Sequence, residues 1–95
     1  MAEKLTPAAL DLALPKLPGW IVGEETAFLQ KNFMFDDFDQ AWDFMGRVAR
    51  LAKKMDHHPE WSNIYNRVHI TLSTHEAGGL TEKDIEMAWG IDQMA

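Results

Sequence analysis

The chain contains no cysteine. That excludes disulfides, thiolate metal sites and a cysteine nucleophile, and it fits a cytoplasmic chain. Long apolar runs are missing as well: nowhere do about 18 apolar residues follow one another, so no stretch reads as a membrane span. The amino terminus, MAEKLTPAAL, lacks the apolar core of a secretory signal. Basic residues are few, nine against fifteen acids, and the net charge of −6 disfavours direct binding to nucleic acid or anionic membranes. Glycine is also sparse. Gly78-Gly79 is too little for a phosphate cradle, and no serine stands in a GxSxG context that would mark a nucleophile. What remains is an ordinary globular composition, with 46% apolar and 25% charged residues over 95 positions. It predicts a single domain over 1–95 whose partners are small molecules or proteins, with a nuclear location open as well if the source is eukaryotic.

Leu5-Thr6-Pro7 predicts a helix start, with Thr6 as N-cap, Pro7 in the first turn and Leu5 stapled against Leu10. Pro15 should end that helix near Leu14, and Pro18-Gly19 should turn the chain. Trp20-Ile21-Val22 reads as a short strand, Gly23-Glu24-Glu25 as a hairpin turn, and Thr26 to Phe35 as the second strand. Asp36-Asp37 then introduces a long helix from Phe38 or Asp39 to Met55. Its apolar residues cover roughly half of the helical wheel, wider than the stripe of about 100° needed to cover one sheet. The surplus flank, assigned to Phe44, Leu51 and Met55, predicts a subunit contact, with wrapping by the other helices as the alternative. Next come a short strand at Asn63–Tyr65 and a strand from Val68 to Ser73. In the latter Val68, Ile70 and Leu72 face the core and His69, Thr71 and Ser73 face away. Thr81 with Asp84 predicts a capping box, and the last helix runs towards Gln93 with Ile85, Ala88 and Trp89 inward. Hairpins separated by a helix, with helices packed on one sheet face, define an α+β two-layer domain.

All four histidines fall between His57 and His75, within DHHPEWSNIYNRVHITLSTH. Imidazole can both give and accept a proton near neutral pH, and it also binds metals. Three readings of the cluster compete. A metal site would need His75 to join His57 or His58 with Asp56 or Glu76, but no HExxH or second tight pair is present. Acid–base catalysis would place two or three imidazoles around a pocket edged by Trp61, Ser73 and Thr74. In the third reading His57 and His58 only cap the end of the long helix and His75 is a surface residue. For His69, alone on a polar strand face, a structural role is the expectation.

The run HHPEW, with Tyr65 six residues after its proline, then ten more to His75 and nine more to Asp84, resembles the signature of the pterin-4a-carbinolamine dehydratases. An animal member of that family is also known as a dimerisation cofactor of a homeodomain transcription factor. The likeness takes in Pro18-Gly19-Trp20 and the long helix. It implies a four-stranded antiparallel sheet with three helices on one face, and homodimers or homotetramers built through the sheet edge and the long helix. By position, it makes His57, His58 and His75 the catalytic imidazoles. It makes Asp56, Pro59, Trp61, Ser73, Thr74, Glu76, Asp84 and Trp20 the pterin-pocket residues. The implied reaction dehydrates a 4a-hydroxytetrahydropterin and needs no metal or redox cofactor. A protein-binding role as a transcription-factor cofactor is the implied alternative. One position departs from the pattern: Lys53 stands where the family carries a glutamate.

Overall fold

The computed structural model describes residues 3–95. Seven main elements follow in the order expected: α1 (Pro7–Ala13), β1 (Ile21–Val22), β2 (Leu29–Met34), α2 (Phe38–Met55), β3 (Glu60–Ile64), β4 (Arg67–Leu72) and α3 (Glu82–Met94). The strands form one antiparallel sheet in the order β1-β2-β4-β3, and the helices bury their apolar sides against one of its faces. This is the α+β architecture anticipated from the chain.

Local chemistry sets the element ends. The Thr6 hydroxyl accepts from the Ala9 N–H, and Asp37 accepts from the Gln40 N–H, so α1 and α2 start where side-chain acceptors satisfy free amides. Pro15 ends regular α-helix at Ala13, and one turn of 3-10 helix, Leu14–Lys16, follows. α2 stops at Met55 because Asp56 turns left-handed (φ 50°). The His57 N–H then reaches back to the Ala52 carbonyl at 3.1 Å. This is a Schellman-type end, with aspartate where glycine is usual, and it stops the helix before Pro59 has any part in it.

The core joins Leu29 and Phe33 of β2 and Val68, Ile70 and Leu72 of β4 to Ala41, Phe44, Val48 and Ala52 of α2 and Met87, Ala88 and Ile91 of α3. Lys31 shares the inward face of β2. Its ammonium group escapes to the rim, where it bonds Asp92 at 2.9 Å and lies 5.0 Å from the Phe33 ring.

Four expectations need correction. Phe44 is 1% exposed and packs between Phe33 and Phe35, each ring centroid 4.9 Å from its own, so it belongs to the core and not to a subunit contact. Leu51 and Met55 differ from it: each packs against the core but keeps part of its side chain exposed. The uncovered part of the apolar arc is Phe38 and Trp42, stacked at 6.3 Å, with Trp42 64% exposed. On α3, Met87 and Ile91 face inward while Trp89 is exposed. The second strand begins at Leu29 and not at Thr26, because Glu24–Thr26 form a 3-10 turn with Glu25 and Thr26 at positive φ. The second hairpin turns through Tyr65-Asn66, one residue earlier than the sequence suggested.

Candidate active site

The end of α2, the end of β4 and the start of α3 meet at one corner of the molecule. Asp84, at the third position of α3, is fully buried there. Its Oδ2 accepts from the Thr81 N–H at 2.9 Å and from the Thr74 hydroxyl at 2.8 Å, while Oδ1 lies 2.6 Å from His57 Nε2. The Thr74 hydroxyl spends its one proton on Asp84, so at 2.8 Å it must accept from Thr81 Oγ1. Thr81 Oγ1 in turn accepts from the Lys83 N–H. A carboxylate can only accept, so the hydrogen on His57 sits on Nε2, facing Asp84. That leaves Nδ1 as the nitrogen available for chemistry. Among the described residues no buried side-chain nitrogen or oxygen lacks a partner, so the network is closed.

His75 arrives from the other side. β4 ends at Leu72, and a 3-10 turn, His75–Ala77, follows the extended Thr74. The His75 side chain is 78% exposed, with Glu60 Oε1 at 3.4 Å from its Nε2. His57 and His75 nevertheless border one concavity of about 190 Å³, together with Asp56, His58, Ser73, Thr74 and Glu76. Seven of the predicted site residues thus converge, drawn from two stretches of chain.

Four others do not line it. Asp84 stands behind His57, and Pro59 is half-buried beside the histidine pair. Trp61 pairs with Ile70 on the inward side of β3 and packs on the core. Trp20 lies in a separate cluster, edge-on to Phe33 at 6.0 Å, its indole N–H donated to Asp92 at 3.1 Å. It supports the fold there. Lys53 is exposed and outside the concavity. His69 bridges Asn32 and Thr71 on the open face of the sheet, apart from this concavity. No three His, Asp or Glu side chains among the described residues are grouped to hold a metal ion. Sequence reasoning missed Thr81 as the support of the Asp84 network, although the capping-box pattern had placed the two residues together.

A family model described as pterin 4 alpha carbinolamine dehydratase matches residues 3–94. The chain belongs to this family. A Bordetella avium protein provisionally named pterin-4-alpha-carbinolamine dehydratase is 48% identical over the whole chain and 88% of its own length. A Novosphingobium aromaticivorans protein with the same provisional name is 52% identical over 94% of this chain and 93% of its own. Among solved structures, a transcriptional coactivator/pterin dehydratase from Brucella melitensis superposes with a TM-score of 0.93 at 43% identity, covering 98% of this chain and 99% of its own. A pterin dehydratase-like protein identified as a RuBisCO assembly factor in the alpha-carboxysome superposes at 0.71 with 25% identity, over 84% of this chain and 93% of its own. Dehydratase names and assembly roles therefore both occur among proteins of this shape.

Proposed function

We propose that the protein is a hydro-lyase that dehydrates a 4a-hydroxytetrahydropterin to a quinonoid dihydropterin, serving tetrahydropterin recycling for aromatic amino acid hydroxylation in the cytoplasm. The observation that carries this reading is one concavity bordered by His57 and His75, with a buried carboxylate behind one of them. The reaction takes a proton from N5, breaks the C4a–O bond, forms the C4a=N5 double bond and releases water. Its oxidation level does not change, so it calls for no electron carrier. Hydroxide leaves well only when it is protonated. An acid and a base placed around the ring therefore suffice, each worth about 10²–10⁴-fold.

His57 and His75 divide these two proton transfers, and His58 orients the ring. Asp84 fixes the hydrogen on His57 Nε2, which presents Nδ1 to the substrate, and it steadies the imidazolium whenever His57 is doubly protonated. Asp56, Ser73, Thr74 and Glu76 supply polar contacts at the concavity. Absorbance of freshly generated 4a-hydroxypterin tests this directly. The protein should accelerate dehydration, and His57→Ala and His75→Ala should each lower kcat/KM by about 10²–10⁴-fold. Dehydration no faster than in buffer would overturn the reading.

A second role rests on a different surface. Phe38 and Trp42 expose stacked rings on α2, and no element among the described residues covers them. A face of this kind serves self-association into a dimer or tetramer, or the binding of a protein partner. Trp42→Ala should leave stability within about 0.5 kcal/mol while lowering the oligomeric mass seen by sedimentation. An unchanged mass would remove α2 from the assembly.

A further inference from the structure

A groove of about 560 Å³ runs between α3 and α1 with the turn that follows it, and it shares no residue with the concavity of the candidate active site. Each side gives the groove a stripe at the spacing i, i+3, i+4, i+7, the face by which one helix meets another. From α1 and its turn these are Ala9, Leu12, Ala13 and Lys16. From α3 they are Glu82, Ile85, Glu86 and Trp89. Buried Leu17 completes the lining.

Both sides carry apolar groups that the subunit itself does not cover. Leu12 is 81% exposed, more than any other large apolar side chain among the described residues, and Trp89 is 53% exposed. The core takes Leu10 from α1 and Met87, Ala88 and Ile91 from α3, so Leu12 and Trp89 project from the outer sides of their helices. Two such residues over one groove mark a contact surface. The charges are segregated and free. Lys16 stands on the α1 side, Glu82 and Glu86 stand one turn apart on the α3 side, and no ion pair among the described residues engages any of the three.

An occupant has to bring an apolar side chain to Trp89, a cation to the two glutamates and a carboxylate to Lys16. A second copy of this chain brings all three. Turned about a two-fold axis through the groove, it lays its α1 on this α3 and its α3 on this α1, so every contact is made twice. We propose that the groove between α1 and α3 is a self-association surface, in which Leu12 of each copy packs on Trp89 of the other and Lys16 of each meets Glu82 and Glu86 of the other. The net charge of −6 makes two copies repel at long range, so association depends on such local matching of opposite charges. This face is separate from Phe38 and Trp42 of α2, and it stands whatever the chemistry at the histidines.

The test is a charge swap, read by sedimentation equilibrium of the full chain over a concentration series, with Trp42→Ala in every sample to set the α2 face aside. Lys16→Glu and Glu86→Lys alter exposed positions, so unfolding midpoints matching the parent's separate a lost contact from a lost fold. Each should raise the dissociation constant about tenfold, because the substitution acts twice across the axis and turns attraction into repulsion. An equimolar mixture of the two should return it to within about threefold of the parent's, since each altered side then meets its opposite. Added salt should weaken association of the parent and strengthen that of each single variant. Leu12→Ala should weaken association about tenfold as well, the scale of a lost apolar contact. A dissociation constant that neither charge reversal moves overturns the proposal. So do losses that the mixture fails to recover, which would leave the groove to a foreign partner.

Discussion

The two histidines that border the candidate site are held in opposite ways. His57 follows a closed helix end and rests on a buried carboxylate that two other polar groups, the Thr74 hydroxyl and the Thr81 N–H, also serve. His75 stands on a single 3-10 turn before Gly78-Gly79, its ring open to water and one exposed glutamate at 3.4 Å. The corner therefore has one fixed wall and one adjustable wall. Closed polar networks hold a side chain to a single geometry, whereas segments with few buried contacts open at low cost.

Three substitutions break or sharpen this contrast. Asp84→Ala strikes the fixed wall hardest, since it strands the Thr81 N–H, the Thr74 hydroxyl and the His57 ring and also removes the helix cap. It should cost about 3–5 kcal/mol in denaturant unfolding, and a loss under about 1 kcal/mol would show that the network carries no tension. His57→Ala leaves one oxygen of Asp84 unpaired and should cost about 1–3 kcal/mol. His75→Ala should stay within about 0.5 kcal/mol of the parent although it removes as much activity. Equal stability losses for the two alanine variants would erase the distinction between the walls.

How far the sequence reached follows the range of each interaction. The strict alternation of Val68, Ile70 and Leu72 fixed β4, and Thr6, Asp37 and Thr81 marked helix starts, because those signals act within a few residues. The clustering of histidines, with the family spacing to His75 and Asp84, pointed to the corner where the fold brings these residues together. Partner choice over long distance was not legible. Nothing near His57 names Asp84, 27 positions on, as its acceptor. The helical wheel gave the width of the apolar arc on α2 but not its edges. Which flank the sheet covers depends on how the helix crosses it, and that placed Phe44 inside and Trp42 outside. α3 carries apolar residues on several sides, so its period could not separate Met87 and Ile91 from Trp89. Glu25 and Thr26 gave no sign of left-handed backbone, a conformation that glycine normally announces.

The double duty of Asp84 bears on how relatives of this chain are to be interpreted. One carboxylate starts α3 and anchors His57, so replacing Asp84 weakens the fold whatever becomes of the chemistry, whereas the exposed His75 can be replaced at little cost to stability. An aspartate at that position is accordingly a mark of architecture. On the dehydratase reading proposed above, the histidine on the loose turn, which the fold can spare, is the better witness to whether a protein of this shape still works as an enzyme.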